Sequence, residues 1–486
     1  MESLLRNKWK STAASIWIQC SGGAIYTFGI YSSILKLSQS YDQFTLDTVS
    51  VFKDIGANCF VGYFFIWASV VGLIGRPPVP VMCLFMLLAA HAQTFFNTAN
   101  VGFLGLGGAV LIQVYSSICQ GNPAVFILIL AVTPTLISLL FVPLVRISGT
   151  SSVDDKKNVF SYFALIIAAY LMVVIIFENV FVLPTPVRIV IFVILLPLLA
   201  SPFGIEAKAH QSCLMYDLEP IPVNKCCDVQ GRGEYHEIPG GPEGTNAVDL
   251  SSGEYLSDEQ DHDIDFDLWR AMFTTNFWLL FIAMICGMGS SMATINNISQ
   301  IGESLGYSTV ERSSLVALWS IWNFLGRFGA GFLSDIMLHK GWARPLFMVI
   351  TLEALTFGHL IVASGSHGNL YKGSIVVNIC YGSQWLLMPT ITAEVFGIRH
   401  MGTIFNAIAM ASPIGSYIFS VRIIGFIYVK MATGEDKSCH GTRCFMLSFL
   451  VMASVAFVGS LVAFALFIRT GKFYGRIVLQ RLGHAF

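Results

Sequence analysis

The sequence predicts an all-α, polytopic membrane protein on three observations: a shortage of charge, an excess of apolar residues, and long apolar runs at regular intervals. Asp, Glu, Lys and Arg make up 12% of the 486 residues, and hydrophobic residues 55%. A soluble domain carries about a quarter charged residues, and no globular core of this size could hide so much apolar surface from water. The implied solvent is a bilayer. A formal net charge of −1 leaves no electrostatic footprint for nucleic acid.

Runs long enough to cross about 30 Å of hydrocarbon lie near residues 11–35, 55–74, 79–97, 102–117, 123–146, 159–182 and 186–204. Six more lie near 272–298, 312–336, 344–364, 370–391, 402–427 and 444–468, about thirteen in all. A membrane barrel strand needs only about ten residues of alternating pattern, so these runs are helices. The first, after MESLLRNKWK, is too long for a signal-peptide core and reads as a retained span. The expected organisation is an N-terminal bundle over 1–204 and a six-helix bundle over 272–470, followed by a basic cytosolic tail over 471–486. Between the bundles, 205–271 is rich in Gly, Pro, Ser, Asp and Glu, ends in SDEQDHDIDFD, and reads as a disordered cytosolic tether.

Orientation follows from the positive-inside rule. With Arg469, Lys472, Arg476 and Arg481 cytosolic, Arg270, Lys340, Arg344 and Arg399 fall on the same side, and the loops around Ser304 and His367 face away. The N-terminus, with Arg6, Lys8 and Lys10, also asks to be cytosolic. Two cytosolic ends need an even number of crossings, whereas the runs give an odd one, so one crossing is expected to be absent between Lys36 and Arg76. The internal repeat supports this placement. INNISQIGESLGYSTVERSSLVALWSIWNFLGRFGAGFLSD in the second half parallels IYSSILKLSQSYDQFTLDTVSVFKDIGAN in the first, but the first copy breaks at Asn58 and Cys59 into the next apolar run.

Two bundles joined by a long linker resemble the major facilitator superfamily, whose halves are related by pseudo-symmetry. WIQCSGGAIYTFGIYSSILK, SYDQFTLDTVSVFKDIGAN, FFNTAN, TINNISQIGESLGY, ALWSIWNFLGRFGAGFLSD and TAEVFGIRHMGTIFNAIAMASPIGSYIFS are similar to the plant nodulin-like family, which includes the nuclear-fusion-defective-like proteins. The likeness runs along nearly the whole chain. It implies a plant protein with a major facilitator-like two-bundle fold, two extra helices before the linker, and a first bundle that lacks one helix. The family's segments after Asn58, and after Asn100 before GFLGLGG, have no counterpart here.

The strongest motif is GRFGAGFLSD, with Asn323, Arg327, Gly331 and Asp335 every four residues and hence on one broad helix face. It resembles the superfamily's gating signature. The resemblance implies that Asp335 and the basic Lys340 and Arg344 lock two cytosolic helix ends together, while Gly326, Gly329 and Gly331 allow close packing. Arg327 at the centre of the hydrocarbon would cost ~3 kcal/mol, so a cavity-facing or paired position is expected, with snorkelling to the interface as the plainer reading.

Solute sites in this fold are expected near the midplane, on the first and fourth helices of each half, the fourth of the first half being the run at 79–97. Those helices carry Gln19 and Tyr26, Gln93 and Asn97, Asn296 and Asn297, and Gln384 with Trp385. Amides facing lipid are unfavourable, so these either line a polar cavity or hydrogen-bond between helices. Glu353, in an apolar run, is a candidate for proton coupling; His359, six residues on, falls on another face. Cys439 and Cys444 bracket a short polar loop and fit either a disulfide on a non-cytosolic face or two unlinked thiols.

No nucleotide-binding loop, HExxH, GxSxG or metal-ligand spacing occurs, which argues against covalent catalysis and against a resident metal or cofactor. The reading is a secondary transporter that rocks two bundles around a small solute, driven by its own gradient or by a coupled ion such as the proton, in the plasma membrane or an internal one such as the vacuolar membrane. The competing class is a truncated, non-transporting isoform with a regulatory or receptor-like role, supported by the incomplete first bundle. Amide-rich cavities suit sugars, carboxylates, amino acids or chelated metals alike, and nothing in the sequence fixes an oligomeric state.

Overall fold

A computed structural model describes residues 26–38, 41–58, 101–119, 123–141, 154–181, 186–199, 266–366, 368–397, 400–431 and 441–483, with Trp17, Cys20, Ser21, Pro184 and Cys439 as isolated positions. Among these residues the structure is helical, without strands. The first half contributes α1 (Phe28–Ser38), α2 (Gln43–Asn58), α3 (Val101–Ser117), α4 (Pro123–Phe141), α5 (Asp154–Val180) and α6 (Pro186–Leu199). The second contributes α7 (Thr275–Ser304), α8 (Thr309–His339), α9 (Arg344–Ala363), α10 (Asn369–Phe396), α11 (Met401–Met431) and α12 (Arg443–Gly483). The run expected at 79–97, most of that at 55–74, the linker as far as 265, and Gln19, Gln93 and Asn97 lie outside the described residues.

Local chemistry sets the helix ends. Thr274 caps α7 by accepting from the Phe277 N–H at 3.3 Å, and Ser308 and Glu311 form a reciprocal capping box at the start of α8. Gly397, at a φ of 90° that favours glycine, ends α10. Helices α7 and α11 each contain a π segment, Ile285–Gly289 and Tyr417–Gly425. There the two helices touch backbone to backbone: a Cβ at Gly289 would lie 2.5 Å from the Gly415 Cα.

Helices α7, α9, α11 and α12 are long and apolar enough to cross a bilayer. Helices α8 and α10, at 31 and 28 residues, are as long but carry Arg327 and Asp335, and Gln384 and Glu394, on inward or terminal positions. Phe332, Phe357, Phe426 and Ile468 point outward and are exposed, as side chains bathed in lipid are. Helix α9 packs on α10 and α12, and α10 on α8; from the first half, α3 and α5 pack on α8, α1 on α7, and α2 on α11. The halves therefore meet along α7, α8 and α11. One end of the molecule carries the Cys439–Cys444 disulfide, docked by the Gly441 N–H on the Ser304 carbonyl at 2.8 Å. The C-terminal end of α8, the start of α9 and the C-terminal end of α10 lie at the other.

Candidate functional site

At the contact between the halves, Arg327 of α8 is 1% exposed. Its Nε donates to Asn323 Oδ1 at 3.0 Å, one turn earlier on the same face. An Nη2 proton goes to the Tyr26 hydroxyl at 2.9 Å, just before α1, and the guanidinium lies 5.4 Å over the Trp385 ring of α10. Tyr381 stands edge-on to both Tyr26 and Trp385, each at 6.3 Å, and its hydroxyl reaches Met292 Sδ of α7 at 3.3 Å. Four segments from both halves thus converge on one buried arginine. It does not snorkel to the surface.

Around this arginine the polar groups are incompletely satisfied. Among the described residues Asn323 Nδ2 has no hydrogen-bond partner, and neither does either amide atom of the fully buried Gln384, which packs against Gly287 of α7. Each unsatisfied buried group costs about 1–3 kcal/mol. Such a cluster is chemically suited to water or a polar solute, which would supply the missing partners.

Other expected site residues are distributed differently. Asp335 lies eight residues beyond Arg327, about 12 Å along the helix, and belongs to a second cluster. There Arg344 pairs with Asp335 and, at 2.7 Å, with Glu394 of α10, whose other oxygen accepts from the Tyr474 hydroxyl at 2.8 Å. Lys340, expected in this lock, is exposed at the C-cap of α8; Glu394 holds the inner place. Gly326 packs on the Ile379 backbone and Gly331 against Leu386, while Gly329 faces open space. Glu353 accepts from Ser460 of α12, and His359 Nε2 lies 3.1 Å from Ser290 Oγ of α7, so the two look to different helices, away from Arg327.

Asn296 and Asn297 join neither cluster. They face α2, where Asn296 Nδ2 donates to Asp54 at 2.6 Å and Asn297 Oδ1 accepts from Gln43 at 3.1 Å. Gln43, Asp47 and Asp54 were not singled out by sequence pattern. Their spacing of four and seven is the stripe of one helix face, and it was legible in SYDQFTLDTVSVFKD. Glu394 had the same signal as Glu353, a carboxylate in an apolar run.

Comparison with known proteins places the chain among transporter relatives. The family described as "Nodulin-like" matches residues 8–59 and 57–207, and that described as "NFD4, C-terminal domain" matches 266–476. "Protein NUCLEAR FUSION DEFECTIVE 4" of Arabidopsis thaliana is 23% identical over 97% of this chain and 90% of its own length. That alignment runs over 547 positions, more than the 486 of this chain, so the relative carries segments this chain lacks. "Probable transporter MCH1" of Yarrowia lipolytica is 25% identical over 38% of this chain and 41% of its own. A solved POT family transporter covers 95% of the chain and 96% of its own at 10% identity, with a TM-score of 0.48.

Proposed function

The chain belongs to the nodulin-like family, and from that premise we propose that it is a secondary active transporter that moves a small solute by alternating access. The family's relatives named as transporters support transport over covalent chemistry. The observation that carries the reading is the Arg327 cluster: a buried, under-satisfied polar site assembled from α7, α8, α10 and the Tyr26 segment. Arg327 and Gln384 bind the solute's polar groups, and Tyr26, Tyr381 and Trp385 pack its body. Arg344 with Asp335 and Glu394 braces the cytosolic end. The protein works in the plasma membrane or an internal membrane such as the vacuolar one, with the disulfide on the non-cytosolic side.

The test is uptake into proteoliposomes carrying the full chain, with radiolabelled glucose, lactate and alanine as probes, each with and without an imposed pH gradient. Saturable uptake of at least one is expected. Arg327→Ala should lower it more than about tenfold, the scale of one lost charge-assisted hydrogen bond, while Glu353→Gln keeps it. A second reading, a truncated non-transporting membrane protein, is favoured by the nodulin-like match falling in two pieces that abut at residues 57–59. Stable, folded protein with no flux for any probe would support it.

A further inference from the structure

The peripheral helices of the first half carry a polar cluster that the solute site does not use. Gln113 of α3 is 0% exposed, and its Nε2 donates at 3.2 Å to Glu178 Oε2, in the last turn of α5. Gln113 Oε1 and Glu178 Oε1 are both buried and have no hydrogen-bond partner among the described residues. Arg188, in the first turn of α6, completes the cluster. Its Nε is likewise buried without a partner, and its charge acts on the Glu178 carboxylate, yet the two form no ion pair. Carbonyl contacts hold the three helices together around these groups: Ser117 Oγ of α3 donates to the Arg188 carbonyl at 3.1 Å, and the Tyr170 hydroxyl of α5 to the Ile191 carbonyl of α6 at 2.7 Å.

The cluster lies at the turn from α5 to α6. Helix α5 has 27 residues, about 40 Å of helix, so its two ends fall at opposite boundaries of the bilayer. Lys156 and Lys157 mark its first turn as the cytosolic end, which places Glu178 and Arg188 at the non-cytosolic boundary. From there Val173, Ile176, Phe177, Val190, Val193 and Ile194 of the two helices are exposed, an apolar surface suited to acyl chains.

A carboxylate and a guanidinium this close normally join in a charge-assisted pair. Here each keeps an unpartnered atom, and the buried amide oxygen beside them adds a second acceptor. A lone water would satisfy the three atoms but leave both charges uncompensated at the edge of the hydrocarbon. A zwitterion compensates both. We propose that Gln113, Glu178 and Arg188 form a binding site for the headgroup of an aminophospholipid of the phosphatidylethanolamine class. Arg188 takes the phosphate, whose oxygens match the guanidinium fork. The ammonium donates to Glu178 Oε1 and Gln113 Oε1, and the acyl chains lie on the exposed faces of α5 and α6. A choline headgroup has no N–H to donate, and a glycerol headgroup leaves Glu178 without a cation, so the amine sets the selectivity.

The test is lipid binding to the purified full chain in detergent, read by native mass spectrometry and by Tm. The probes are dioctanoyl phosphatidylethanolamine, its mono- and dimethylated forms, the corresponding phosphatidylcholine and phosphatidylglycerol, and free phosphoethanolamine. Affinity of the wild-type chain should fall stepwise as methyl groups replace N–H, by about tenfold from ethanolamine to choline, the scale of one charge-assisted hydrogen bond. The rise in Tm at a fixed lipid concentration should fall in the same order. This series needs no variant to fold. Glu178→Gln, which keeps an acceptor for Gln113, should bind the ethanolamine lipid no better than the choline lipid, and Arg188→Gln should weaken every phospholipid. Equal affinity for the ethanolamine and choline lipids, the result for a site filled by water, would overturn the assignment. So would tighter binding of phosphatidylglycerol, or undiminished selectivity in Glu178→Gln. Free phosphoethanolamine should bind more weakly than the lipid; equal or tighter binding would assign the site to a soluble zwitterion instead of a membrane lipid. None of these readouts depends on flux, so the transporter reading stands or falls separately.

Discussion

At one end of the molecule Arg344 is gripped by two carboxylates, and deeper between the halves Asp54 accepts from an amide and a hydroxyl. The first cluster lies within the second half, tying α8, α9, α10 and α12, so the motion proposed above would leave its partners together. A full ion pair suits a permanent contact, because each member is costly to bury alone and the pair holds the bundle's helix ends in register. The second cluster lies between halves. Neutral donors to a carboxylate give a bond strong enough to close a seam, yet water can replace each donor when it opens. The difference separates a contact within one half from a contact between halves by the chemistry of the partners.

The largest expected effect breaks the brace. Arg344→Ala leaves the Glu394 carboxylate, whose side chain is 12% exposed, without its cation. Breaking a buried pair in this way costs about 3–5 kcal/mol, and thermal unfolding of the purified chain should show it as a large fall in Tm. An Arg344→Ala, Glu394→Ala double variant should recover part of that loss, because the orphaned charge is gone. Equal losses in the single and double variants would mean that Arg344 acts through packing and not through Glu394.

The seam should respond locally. Asn296→Ala removes a donor to Asp54, a cost of about 1–3 kcal/mol for a buried acceptor left short. The contact lies between the halves and not within one bundle, so the cost should appear as faster amide hydrogen exchange over 43–58, with global Tm little changed. A fall in Tm as large as that of Arg344→Ala would erase the distinction between the two contacts.

These two clusters were unequally legible in the sequence. The i, i+4 face of Asn323, Arg327 and Asp335 follows from helix geometry, as does the nearness of Arg344 in the next loop. Glu394 is 50 residues from Arg344, and only the packing of α9 on α10 brings them together. Periodicity gives a face but not the identity of the facing helix or the depth of contact. On α7, Met292 touches Tyr381 in the central cluster, whereas Asn296, one turn on, reaches Asp54. One turn of about 5.4 Å divides solute site from seam, and no pattern in TINNIS marks that division. The apolar runs announced the helices; the π segments, where Gly289 meets Gly415, depend on a partner helix and left no local sign.

The smallest effect concerns the residue that the motif made most prominent. Asp335 pairs with Arg344, but its side chain is 66% exposed, against 12% for Glu394. An exposed carboxylate gains little from its partner, because water competes for both and salt screens what is left. Asp335→Asn should therefore cost under about 1 kcal/mol, with the difference from wild type shrinking as salt is raised. Lys340→Ala, at a site outside the cluster, should cost less still. Should Asp335→Asn instead match Arg344→Ala in Tm, the solvent-facing arm of the brace would be its principal one, and Glu394 would be reduced to a hydrogen-bond partner of Tyr474.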